Sequence, residues 1–217
     1  GLTAISTDYT LSASIGKLKV TEDTTELIIA SLGETWTYDG NAHTNYKYTV
    51  TYGEENYSVE IGEGETSVTA TLSTGDTVTI TPAESATITH VAETTVENAF
   101  TAVVSHASQY SNIDDDNYGD LTIEPATLTI TTNSATREYN GQALTADGSI
   151  SGFVTPTGGE EEKASFTVTG SQTTVGESDN TYKLIFADSE VGEDEEVPEG
   201  LTAISTDYTL SASIGKL

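Results

Sequence analysis

Tyr46-Lys47-Tyr48-Thr49-Val50-Thr51-Tyr52 sets large and polar side chains in strict alternation. A period of two places residues 46, 48, 50 and 52 on one face of a strand, whereas a helix would need a stripe of period 3.6. The same alternation recurs in Val68-Thr69-Ala70-Thr71-Leu72 and Val78-Thr79-Ile80. It returns in Leu128-Thr129-Ile130, Phe166-Thr167-Val168 and Tyr182-Lys183-Leu184-Ile185-Phe186. Turn-forming stretches at 62–64, 73–76, 158–159 and 176–180 separate these runs. Threonine, which fits a half-buried pleated surface, occurs 40 times. Val91–Ser108 has some helical flavour but is too rich in Thr and Val, and it reads as strand. The expected fold is all-β: two small, mostly antiparallel, sandwich-like modules stacked end to end.

Repeats set the organisation around these strands. Residues 1–18, GLTAISTDYTLSASIGKL, recur without change as residues 200–217. Such identity reads as one period of a tandem array and then the start of the next. A weaker repeat lies inside the period. Trp36-Thr37-Tyr38-Asp39-Gly40-Asn41-Ala42-His43-Thr44 aligns with Arg137-Glu138-Tyr139-Asn140-Gly141-Gln142-Ala143-Leu144-Thr145, and both carry Tyr-Asx-Gly, which reads as a primed turn. Asp116-Asn117-Tyr118 before Leu121-Thr122-Ile123 resembles Thr206-Asp207-Tyr208 before Leu210-Ser211-Ala212. The expected division is therefore 1–20 as the closing strand of a preceding repeat, 21–124 as a first module and 125–217 as a second, closed by strand 207–217. Pro125 stiffens the junction. One period of two stacked modules then spans roughly 70–90 Å.

Charge narrows the partners. The chain carries 35 acidic against 7 basic residues, a formal charge of −28, so phosphate backbones and anionic lipid surfaces are repelled. Nucleic acid and direct membrane contact are excluded as expectations. No stretch approaches the ~20 apolar residues of a membrane span. The start of the chain lacks the basic and apolar regions of a signal peptide, which reads as a piece of a longer protein. There is no cysteine, hence no disulfide and no thiolate chemistry.

Leu128-Thr129-Ile130-Thr131-Thr132, Glu138-Tyr139-Asn140-Gly141, Phe166-Thr167-Val168-Thr169-Gly170-Ser171-Gln172 and Thr206-Asp207-Tyr208 together resemble the MBG-type repeats of bacterial cell-surface adhesins. The first module keeps the Tyr-Asp-Gly turn and the Asn-Tyr closing strand but carries extra strand-like sequence between Tyr46 and Phe100. The resemblance implies a sandwich or grasp-like stalk module strung in tandem outside a bacterial cell. It implies no catalytic residues and no required cofactor.

Enzymatic patterns are weak. Ser105-His106 in one strand would point to opposite faces, wrong for a nucleophile and its base. Asp114, Asp116 and Asp120 stand at alternate positions around Gly119 and are the candidate metal ligands, hard oxygens of the kind Ca²⁺ takes, although the distal bidentate Glu of a calcium loop is missing. The run Glu190, Glu193, Asp194, Glu195, Glu196 and Glu199 reads as a solvated loop. Lys47 or Lys183 with Asn98 beside Glu97 would be the components of an internal Lys–Asn crosslink, and exposed strand lysines are the favoured reading. Trp36, Tyr46, Tyr48 and Tyr52 could bind sugar, but a core face accounts for them better. The expected function is mechanical: an extracellular stalk or fibre repeat at the bacterial surface, partnered by neighbouring copies of itself. The alternatives are an adhesive module for host glycan, mucin or protein, and a fibre subunit joined by strand addition.

Overall fold

A computed structural model describes residues 3, 6–10, 12–192 and 196–217. Among these residues fifteen strands carry the fold. They are β1 (Leu27–Ser31), β2 (Glu34–Thr37), β3 (Lys47–Tyr52), β4 (Glu55–Glu60), β5 (Val68–Thr71), β6 (Thr77–Pro82), β7 (Thr95–Glu97), β8 (Phe100–Val104), β9 (Ile113–Asn117) and β10 (Asp120–Glu124), then β11 (Ala126–Thr132), β12 (Gly148–Ser151), β13 (Ser165–Val168), β14 (Tyr182–Ile185) and β15 (Tyr208–Ser213). Among the described residues the only helices are single 3₁₀ turns of three residues. The chain is all-β, and Val91–Ser108 contributes β7 and β8 between two such turns.

Period-two patterning produces the first core. Sheet β4-β3-β1-β9 turns Leu27, Ile29, Tyr48 and Val50 inward, and sheet β5-β6-β8 answers with Ala70, Val78, Ile80 and Phe100. The Tyr48 and Phe100 rings meet edge to face at 5.8 Å. The Tyr46–Tyr52 run thus splits: Tyr48 is buried, Tyr52 packs at the core margin, and Tyr46 lies outside the strand and is 47% exposed. Most pairings are antiparallel, but β1–β9, β2–β10 and β11–β15 are parallel. In each half the opening strand therefore lies beside the strand that closes it.

The two halves repeat each other in detail. Asn98 and Asn180 are both fully buried. The Asn98 side-chain amide donates to Leu32 O and Asn45 O at 2.9 and 2.8 Å; that of Asn180 donates to Asn133 O and Ala146 O at 2.9 and 3.1 Å. Their backbone N–H groups donate to Gly119 O and Gly215 O, at 2.8 and 2.9 Å. Gly119 and Gly215 in turn donate to Ser31 Oγ and Thr132 Oγ1, each at 3.0 Å. Both glycines press on the opening strand so closely that a Cβ would lie 2.2 Å from Gly33 N or 2.3 Å from Asn133 C. Gly119 is thus the counterpart of Gly215, and β9 that of β15. This corrects the expected pairing of Tyr118 with Tyr208: Tyr118 corresponds to Ile214, because the glycine contact, not the tyrosine, fixes the register.

The Tyr-Asx-Gly segments also differ from expectation. Gly40 and Gly141 take φ of 75° and 78°, but Asp39 and Asn140 do not adopt positive φ, so neither is a primed hairpin turn. The side chains close the bends instead: Asp39 Oδ1 accepts from Asn41 N–H at 2.9 Å, and Asn140 Oδ1 from Gln142 N–H at 3.0 Å.

For residues 1–20 the repeat arithmetic predicts a closing strand. Among the described ones there is only the turn Ser6–Asp8, matching Ser205–Asp207 of the second copy, and Ile15, Leu18 and Val20 stand 90%, 104% and 90% exposed.

Candidate functional site: the junction between the halves

β10 ends at Glu124 and β11 begins at Ala126, so Pro125 alone connects the two halves. Around it lies a second core that neither half owns. Tyr38, Ile88, Leu121 and Ile123 from before Pro125 pack with Ala126, Leu128, Phe186, Ala203 and Tyr208 from after it. Tyr208 is the centre. Its ring meets Tyr38 at 5.6 Å, Phe153 at 5.8 Å and Phe186 at 6.4 Å.

Buried polar groups lock the contact. Tyr38 Oη donates to Glu162 Oε1 at 2.6 Å, and Tyr208 Oη donates to Glu162 Oε2 at 2.7 Å. One carboxylate thereby joins residues 124 and 46 positions away. Tyr208 Oη also accepts from Val154 N–H at 3.1 Å. At a second point the fully buried Asp207 accepts from Val91 N–H at 2.9 Å and faces His90 Nδ1 at 2.8 Å. At a third, Thr157 N–H donates to Asn41 Oδ1 at 2.9 Å, beside Gly40 and Pro156. Carboxylate acceptors, Glu162 and Asp207, strengthen two of these points, and because hydrogen bonds are directional the three together resist twisting as well as separation.

Burial, with Glu162 alongside, raises both the Tyr38 and the Tyr208 hydroxyl above the ordinary tyrosine range. A folded-state value above the unfolded one means that the stability is whole below about pH 10 and is lost as pH rises beyond it. We expect alkaline unfolding to begin above about pH 10, with the two hydroxyls ionising only as the chain unfolds. Absorbance at 295 nm, tracked with far-ultraviolet dichroism, checks this. Independent ionisation of all eleven tyrosines before unfolding would contradict it.

Asp114 and Asp116, candidate metal ligands from sequence, lie on β9, a strand rather than a cation loop, and Asp120 begins β10 in another sheet. Among the described residues no group of three His, Asp or Glu side chains is arranged to hold a metal ion. A thermal rise in salt that is equal for Ca²⁺ and Mg²⁺ at matched ionic strength, and unaltered by Asp116→Ala, is expected from screening alone. A selective Ca²⁺ response lost in that variant would show a site. Glu193, Asp194 and Glu195 fall outside the described residues. Ser105 and His106 do converge, but on a shared carboxylate: Ser105 Oγ donates to Asp76 Oδ1 at 3.2 Å, and His106 Nδ1 faces that same atom at 2.8 Å. Neither bond joins serine to imidazole, so the base does not sit on a nucleophile. Lys47 and Lys183 are exposed on their strands, whereas Asn98 is buried with its amide engaged by two carbonyls. Trp36 stacks on His43 at 4.9 Å and half-buries against the second core, so the aromatics do not share one open face.

Sequence reasoning misses Glu162, because one carboxylate among so many carries no signal. Its only trace is that Tyr38 and Tyr208 both belong to recurring motifs and need a common buried acceptor. Among the described residues no helix is long and apolar enough to cross a membrane. No family model matches the chain, nor does any curated protein or solved structure.

Proposed function

We propose that this chain is a structural repeat of a bacterial surface stalk or extracellular fibre, which projects or links other parts rather than catalysing a reaction. The observation that carries the reading is the second core, shared across a one-residue connector and locked by Glu162 and Asp207. A flexible tether needs no such core, since inter-domain motion is the default where the interface is small and polar. The duplicated 18-residue segment supplies the means of joining further copies. The acidic surface keeps neighbouring fibres apart and disfavours nucleic acid and anionic membrane.

Polypeptides of one, two and four joined repeats test this by small-angle scattering and electron microscopy. A stiff stalk lengthens in proportion to copy number. Growth with about the square root of copy number, as for freely jointed beads, would remove the reading. Specific retention of a single repeat on a glycan or mucin surface would favour adhesion instead.

A further inference from the structure

The second half ends in an open groove of about 460 Å³ between segments 134–142 and 172–177, with Leu217 at one end. The first half has the same place filled. There β10 runs parallel to β2, pairing Leu121 with Glu34, Thr122 with Thr35, Ile123 with Trp36 and Glu124 with Thr37, and antiparallel to β7, pairing Asp120 with Glu97 and Thr122 with Thr95. In the second half this ladder begins and then stops. Ala135 N–H donates to Lys216 O at 2.9 Å, and Leu217 exchanges two bonds with Ser178, at 2.9 and 3.1 Å. Among the described residues, segment 134–140 makes no further backbone bond to the closing strand.

We propose that this groove is an acceptor for a second copy of the same sequence, filled by the Lys19-Val20-Thr21 segment of a copy joined to Leu217. The proposal rests on the tandem reading above and gives it an atomic joint. Because residues 1–18 equal residues 200–217, the residues after Leu18 are those that would succeed Leu217 in an array. Lys17-Leu18-Lys19-Val20-Thr21 has the alternation of Asp120-Leu121-Thr122-Ile123-Glu124, with an apolar residue at the second and fourth places. Leu217, the duplicate of Leu18, is already buried as Leu121 is. Val20 then takes the place of Ile123, which is 6% exposed in its own slot, and lies opposite Arg137. Lys19 comes opposite Thr136 on one side and Glu177 on the other, so an opposite-charge pair forms across the antiparallel ladder.

Surface apolarity fits both partners. Tyr139, the counterpart of the buried Tyr38, is 69% exposed at the groove, and Val175 is 89% exposed. The donor segment shows its own Leu18 and Val20 to solvent. Adding the strand satisfies unpaired backbone groups on both sides, as in strand-addition complexes, and here the donor is tethered, so little translational freedom is lost.

The test is a chain extended after Leu217 by Lys-Val-Thr-Glu-Asp-Thr-Thr, the sequence of residues 19–25, with no further module. Hydrogen exchange at the Arg137 and Tyr139 amides should slow by about tenfold or more relative to the 217-residue chain. Val20→Asp in the appended copy should abolish the protection. Glu177→Lys should weaken it, and pairing that change with Lys19→Glu in the appended copy should restore it. Equal exchange in the extended and original chains overturns the proposal, even if multi-copy polypeptides prove stiff. Protection of the groove in arrays that bend freely would leave this joint standing and remove the stalk reading alone.

Discussion

Tyr208→Ala is expected to destabilise the chain by about 3–5 kcal/mol, the range for removing a large buried aromatic, and to split its unfolding into two transitions. The ring is 6% exposed and touches Tyr38, Phe153 and Phe186. Its hydroxyl donates to Glu162 and accepts from Val154. Truncation opens a cavity in the core that both halves share. It also leaves the Val154 N–H without its acceptor. The first core, built only from residues on the near side of Pro125, keeps its packing and should melt last. Calorimetry separates these outcomes, since a shared core gives one cooperative transition and decoupled halves give two. A single transition shifted intact would mean that the halves are coupled through something other than Tyr208.

Asn98→Ala should cost about 3 kcal/mol, because one buried and one part-buried carbonyl lose their donor at about 1–3 kcal/mol each before relaxation. In a chain of this size that lowers the melting temperature by about 6–12 °C, at about 2–4 °C per kcal/mol. The carbonyls are Leu32 O and Asn45 O, and no backbone N–H replaces the side chain. Asn180→Ala should behave alike through Asn133 O and Ala146 O, though in the other half. Asn98→Asp offers a sharper comparison, since it keeps the shape but turns donors into acceptors facing two carbonyls. It should destabilise more than alanine at neutral pH. Near-native stability in either alanine variant would show that water replaces the amide.

Much of the fold is legible in the sequence because the period-two signal is local. Lys47–Tyr52, Val68–Thr71 and Ala126–Thr132 announce their strands and their inward faces without reference to anything distant. The Tyr-Asx-Gly repeat locates equivalent bends in both halves, although side chains rather than a primed turn close them. The Asn98 and Asn180 clamps are not legible. A buried amide looks like any loop asparagine until the two strands it ties are known. Glu162 is hidden for the same reason, and the aspartates of β9 show how an acidic run imitates a binding loop when its neighbours are unknown.

The sharpest division lies in the duplicated 18 residues. Their sequence dictates that positions 1–18 and 200–217 have identical propensities, identical alternation and the same Ser-Thr-Asp turn, present at Ser6–Asp8 and at Ser205–Asp207. It takes long-range packing to make Tyr208–Ser213 a strand beside β11, with Tyr208 buried, while Tyr9 of the first copy is 71% exposed. An isolated strand has no partner to offset its ordering entropy. The second copy meets the edge of β11 and the Glu162 carboxylate, and that encounter, made across 82 residues of chain from Ala126 to Tyr208, supplies what propensity alone cannot.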